Sequence, residues 1–175
     1  MDLPLKKLLP LFLSLIFIAL LALTVSIIKS AGFHMTYSAT KSMPRGLYLI
    51  APTKKIARYD IVELIPPPIA LDFIKKNHWA PQSGSIIKYV FAIPNDHVCI
   101  HHQAIWINNK KIGRVYKFYA PNKLLPQTKI CGKLKANQYL LLSTESERSF
   151  DGRYFGLVSS QEILGHAIPV FIKRT

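Results

Sequence analysis

Three segments of this 175-residue chain place reactive side chains in unusual company. Residues 38–48 read SATKSMPRGLY, with Ser42 two residues before Pro44 and four before Gly46. Ser, Pro and Gly in this order are ordinary turn formers. A serine displayed on a turn is also a nucleophile when a base lies beside it. Residues 85–93 read SIIKYVFAI, and Lys88 is the only charge between Ser85 and Pro94. In a strand its side chain shares a face with Ile86, Val90 and Ala92. Burial of that face would strip water from the ammonium and lower its pKa, and a neutral lysine is a general base. The alternative is an edge-strand lysine whose charge discourages aggregation. Residues 149–156 read SFDGRYFG, where Ser149, Asp151 and Arg153 alternate. If the stretch is extended, all three point the same way. The serine or the carboxylate would then orient a lysine and the arginine would pair with the aspartate. The plainer reading is a polar turn with a local ion pair.

Other chemistries find less support. A Ser-His-Asp arrangement would draw on His34, His78, His97, His101, His102 or His166. His166 lies nearest in sequence to the Asp151 block, but no triad motif surrounds it. Cys99-x-His101-His102 has zinc-like residue types at a spacing that matches no common site, so no metal and no cofactor is expected.

The elements that must position these groups begin with an anchor. Leu8 to Ile28 contains no charge, and about 20 such residues span the hydrocarbon core of a bilayer. Lys6 and Lys7 precede the run and Lys29 closes it, so the positive-inside rule puts the N-terminus in the cytoplasm and the bulk of the chain outside. A cleaved secretory signal is the rival, with Ser30-Ala31-Gly32 as small residues for cleavage, but the run is longer than a typical signal core. The expected organisation is residues 1–30 as cytoplasmic N-terminus and transmembrane anchor, and residues 31–175 as an outer domain. About 13 residues separate the apolar run from Ser42, which keeps the nucleophile within a few tens of ångströms of the bilayer. Phe33 and Tyr37 would suit its interface.

The net charge is +14, of which the first 30 residues carry only three basic and one acidic group. The basic residues beyond them are scattered, without a run or a nucleic-acid motif. That favours anionic lipid headgroups as a partner and argues against nucleic acid. Two cysteines, Cys99 and Cys131, fall in the outer part, where an oxidising compartment favours a disulfide. Two buried free thiols are the alternative.

From residue 33 onward the texture is β-like. Strands are expected at 46–50, 60–65, 85–93, 138–142 and 167–172, with a helix over 69–79 after Pro66-Pro67-Pro68. Asn108-Asn109 fits a hairpin turn between 104–107 and 111–112. Residues 116–127 read as a looser surface excursion. The fold class is mainly β, following one N-terminal transmembrane helix.

With the anchor, the segments SATKSMPRGLY, IIKYVFAIPNDHV and SFDGRYFGLV, in that order, resemble the signal peptidase I superfamily of serine-lysine peptidases. The likeness is closest to the TraF-type conjugative-transfer branch, which matures pilin subunits. It covers roughly residues 36–172 and implies a signal peptidase-like β-domain in the periplasm, held to the bacterial inner membrane. By this resemblance Ser42 is the nucleophile and Lys88 the general base. Thr40 supports an oxyanion hole with the Ser42 N–H, and Ser149 orients the lysine. Asp151 and Arg153 form a supporting ion pair, Asp151 mattering particularly in this branch. Met43, Pro44 and Gly46 shape the turn. The implied substrate is a membrane-embedded, pilin-like precursor, released by water or closed into a ring by its own amine. A general signal peptidase acting on many preproteins, and an inactive membrane-anchored assembly component, are the competing functions. Two departures stand out: Tyr89 follows Lys88 where the family commonly has arginine, and Asn95 replaces a turn glycine.

Overall fold

The computed structural model describes residues 5–53, 55–79, 83–101 and 103–173. It contains two compact units, Met1–His34 and Met35–Thr175. The first is dominated by α1 (Leu5–Ser30). Its Leu8–Ser30 portion is long and apolar enough to cross a membrane, with a mean hydropathy of 2.9 and no burial inside the protein.

The second unit is built from β1 (His34–Ser38), β2 (Arg45–Ala51), β3 (Ile61–Leu64), α2 (Pro68–Lys76), β4 (Ile86–Ala92), β5 (His97–His101), β6 (Ala104–Ile107) and β7 (Lys110–Arg114). There follow β8 (Phe118–Ala120), β9 (Lys123–Leu124), β10 (Ile130–Lys133), β11 (Gln138–Leu142), α3 (Gly152–Phe155), β12 (Val158–Ser159) and β13 (Ile163–Lys173). The fold is mainly β, as expected. A seven-stranded sheet runs β1-β2-β13-β3-β4-β11-β12, and a four-stranded sheet runs β10-β5-β6-β7.

Alternation makes these strands. In β2, Gly46, Tyr48 and Ile50 turn inward, and Tyr48 and Ile50 pack with Met43, Ile87 and Ala167. Gly46 lies in this strand rather than in the turn before it. Its φ is +148°, and a Cβ there would collide with the Phe171 carbonyl and the Ile172 Cα of β13, so only glycine fits. The prolines end β3 and open α2, with Pro68 as its first residue, where a missing N–H costs nothing. The hairpin at Asn108-Asn109 forms as expected, both residues having positive φ. Asn95 also adopts positive φ, at 78°, so it replaces a glycine without losing the turn.

Several expectations change. Lys88 does not lie on an edge: β4 sits between β3 and β11, with Lys88 opposite Val62. The 149–156 block is not extended. Gly152–Phe155 is a short helix capped by Asp151, and Gly152 is pressed so closely on the Leu141 carbonyl that a Cβ would lie 2.7 Å from it. The 116–127 excursion carries the β8–β9 hairpin. Cys99 and Cys131, by contrast, pair as expected: they are direct partners in the β5–β10 ladder, their Cα atoms 3.9 Å apart and their sulfurs joined.

Candidate active site

The turn that carries Ser42 is fastened on three sides. Met43 is driven into the core, 2% exposed, by its apolar neighbours. The Tyr48 hydroxyl donates to the Pro44 carbonyl at 2.8 Å. Burial pushes that phenol up to about 12, so it remains a neutral donor. The Ser143 hydroxyl donates to the Ser42 carbonyl. What remains half-exposed is the Ser42 side chain, with the Thr40 hydroxyl 2.8 Å from its Oγ.

Lys88 reaches the same place from the central sheet. Its side chain is buried, 2% exposed, and its Nζ donates to the Ser149 Oγ at 3.1 Å. Desolvation lowers its pKa from 10.5 to about 8; the nearby Asp151 carboxylate partly opposes this and Arg153 adds to it. An amine so placed holds an appreciable neutral fraction near neutral pH, and a neutral amine accepts a proton.

Behind Lys88 lies a fully buried ion pair. The Asp151 Oδ1 accepts from Arg153 Nε at 2.8 Å and from the Arg153 backbone N–H at 3.1 Å. Its Oδ2 accepts from Arg153 Nη2 at 2.7 Å and from the Ser143 backbone N–H at 2.9 Å. The guanidinium also donates to the Glu147 and Ser146 carbonyls. Burial works against the arginine's charge, but the Asp151 hydrogen bonds and charge outweigh it and hold its pKa above the ordinary value. Through Ser143 this pair is linked to the Ser42 backbone.

Ser42, Thr40, Lys88 and Ser149 therefore line one cavity of about 740 Å³, between the extended chain from Met35 to Thr40 and the start of β4. Asp151, Arg153, Met43 and Pro44 support it from behind, and Gly46 stands further off in β2. Ser143 carried no local signal, being one serine among many and 101 residues from the carbonyl that it holds. Of the histidines weighed for other chemistries, His78 also lines this cavity, whereas His166 and the cysteine pair lie elsewhere. His166 is 3.1 Å from both Asp60 and Thr53 and far along the sheet from Ser42. His101 stacks on Trp106, and His102 lies outside the described residues. Among the described residues, His97, Cys99 and Cys131 come close enough to share an ion, but sulfurs joined to each other offer no thiolates.

The arrangement suits acyl transfer: a hydroxyl on a fastened turn, an amine of lowered pKa, and a cleft lined by the 35–42 segment, the start of β4, the end of α2 and the 146–150 loop. The family model described as signal peptidase, peptidase S26, matches residues 7–172. Two proteins from Escherichia coli, each called plasmid transfer protein TraF, are 30% identical over 149 residues, which is 76% of this chain and 80% of theirs. The crystal structure of a signal peptidase I from Enterococcus faecalis V583 aligns over 65% of this chain and 97% of its own, at 20% identity and a TM-score of 0.38. With a family match over nearly its whole length, and relatives similar over three quarters of it, the chain belongs to the signal peptidase, peptidase S26, family of serine peptidases.

Proposed function

We propose that this chain is a membrane-anchored serine endopeptidase in which Ser42 attacks and Lys88 takes its proton, and that its substrate is a pilin or similar exported precursor of a conjugative transfer apparatus. One observation carries the chemistry: a buried lysine, held by a serine hydroxyl, opens onto the same cleft as a serine on a fastened turn. The likeness to two plasmid transfer proteins supports the substrate class.

The Ser42 Oγ adds to a peptide carbonyl as its proton passes to Lys88 Nζ. The Ser42 N–H and the Thr40 hydroxyl are the donors to the oxyanion. Lys88 returns the proton to the leaving amine, and the acyl-enzyme forms. Water then releases a linear product, or the substrate's own amine releases a ring. Ser149 keeps the lysine aimed, and Asp151 with Arg153 holds the loop that carries Ser149. The catalytic domain works on the outer, periplasmic side, following the lysines around the apolar run, and there Cys99 and Cys131 stay oxidised. No cofactor enters the reaction.

Co-expression with a pilin precursor, read by intact mass, tests the proposal. The parent chain yields a shortened product, and Ser42→Ala and Lys88→Ala leave the precursor whole. Ring closure appears as the further loss of one water. Processing that persists in both variants overturns the assignment.

A further inference from the structure

The small sheet carries a constellation that the reaction does not use. His97 and Cys99 alternate along β5, so their side chains share a face. Cys131 is the direct partner of Cys99 in β10 and meets it on that face. The His97 Nδ1 lies 3.9 Å from the Cys99 sulfur, and one ligand atom from each of the three residues falls within 4.8 Å of the other two. None of the three lines the catalytic cleft.

Backbone contacts, rather than the sulfur–sulfur bond, set where these groups stand. The His97 N–H donates to the Asn108 Oδ1 at 2.8 Å, and the His97 carbonyl accepts from the Asn108 N–H at 2.8 Å. The Asn108 side chain in turn donates to Asp96 at 2.8 Å. Cys99 and Cys131 are held by the ladder from Ile130 to Lys133. A tetrahedral zinc, with bonds of about 2.3 Å to sulfur and about 2.0–2.1 Å to nitrogen, sets sulfur about 3.6 Å from nitrogen and about 3.8 Å from sulfur. The first separation is nearly met already. Side-chain rotation supplies the second once the bond between the sulfurs is gone.

The surroundings suit two thiolates. Lys133 stands opposite His97, and Lys111 stands opposite Trp106, the β6 partner of Cys99. Nearby cations favour the thiolate form. Two thiolates and a neutral imidazole cancel a dication, so the filled site does not repel these lysines. The Trp106 Nε1 is buried with no hydrogen-bond partner among the described residues. An indole N–H can only donate, and an anionic sulfur on its own face is an acceptor of the kind it lacks. His97 and Cys131 are exposed, which leaves a fourth position open to water.

We propose that His97, Cys99 and Cys131 form a redox-gated site for one thiophilic divalent cation, such as zinc, which replaces the disulfide as the staple between β5 and β10. While the sulfurs are joined the site is shut. A thiolate of an external dithiol attacks the exposed Cys131 sulfur, and Cys99 leaves as a thiolate beside His97. The second thiolate of the reductant closes on its own sulfur and releases Cys131. The dithiol supplies both electrons and becomes a disulfide, its two protons pass to water, and the cation binds the two thiolates and the imidazole.

The full chain in detergent tests this, with Cd²⁺ as the probe because cadmium–thiolate bonds absorb in the ultraviolet. The chain is reduced with a dithiol, freed of it without air, and titrated. The reduced parent should gain the charge-transfer band with an end point at one cadmium per chain, and Zn²⁺ should displace it. The oxidised parent should gain none. Cys131→Ser should remove the end point. His97→Ala, whose cysteines still pair in the same ladder, should bind about a hundredfold more weakly when reduced. Cd²⁺ should raise the unfolding temperature of the reduced parent and leave that of the oxidised parent unmoved. A reduced parent without the band overturns the proposal. Equal uptake by His97→Ala overturns it too, since loose thiols in an unfolded chain would give that result, and so does equal uptake by the oxidised parent.

Discussion

Two cations are buried side by side in this protein, and they are treated in opposite ways. Arg153 is given a carboxylate, two carbonyls and the cap of a helix, and its charge is secured. Lys88 receives one serine hydroxyl, and its charge is made costly. Asp151 serves the first at close range and the second only through space. The contrast separates a group that stays charged and holds a loop from one that, in the proposed mechanism, gives up its charge to act. A fold that met every buried charge with a close partner would leave the proposed mechanism without a base.

Replacing the lysine breaks the comparison most severely. Lys88→Met should reduce turnover by at least about a thousandfold, measured as precursor processed per unit time. The same variant should be more stable than its parent, since the lowered pKa corresponds to a cost of about 3 kcal/mol. A gain of about 1–3 kcal/mol in denaturant unfolding at pH 7 is expected, with a loss of stability counting against burial of an ammonium. Asp151→Ala should do the reverse to the fold, costing about 3–5 kcal/mol because Arg153 stays buried without its partner. Its activity falls as well, since Ser143 and the 146–149 loop lose their support. An Asp151→Ala protein with parental stability would mean that the ion pair is ornamental.

The pH dependence sharpens the same contrast. Lys88 has a lowered pKa in the folded protein, so between about 8 and 10.5 the unfolded chain binds the extra proton. Stability therefore rises with pH through that window relative to Lys88→Met, and the burial cost is fully present below about pH 8. The rate should climb over an acid limb centred near pH 8, reported by kcat/KM against pH. Ser149→Ala is the mildest change. It should cost about tenfold in kcat and move that limb to slightly lower pH, because an acceptor for the ammonium is gone. An unmoved limb with an unchanged rate would take Ser149 out of the site.

Lys88 was legible in the sequence because a lone charge in an apolar run must either be exposed or be unusual. The Asp151–Arg153 pairing was legible from residue types, but its geometry was not. Alternation suggested an extended strand, whereas Gly152, packed on the Leu141 carbonyl, allows a helical turn that lets one carboxylate bond two nitrogens of the guanidinium. Most strands followed from β-branched and aromatic runs. β1 did not, since HMTYS shows no strong pattern and pairs only because β2 offers an edge. Ser143 and Glu63 were silent for a common reason. Their partners lie 101 and 27 residues away, and nothing in the neighbouring residues encodes such distances.

Those distances have a consequence for the order in which the protein becomes active. The hydroxyl that holds the Ser42 carbonyl, and the serine that receives the Lys88 ammonium, both belong to the last third of the chain. A nascent chain that has folded only through β4 carries its serine and its lysine but has nothing to fasten the one or aim the other. Contacts of such long range form late in folding. Until β11 and the α3 loop have docked, the Ser42 turn lacks the Ser143 hydroxyl and Lys88 lacks the Ser149 hydroxyl.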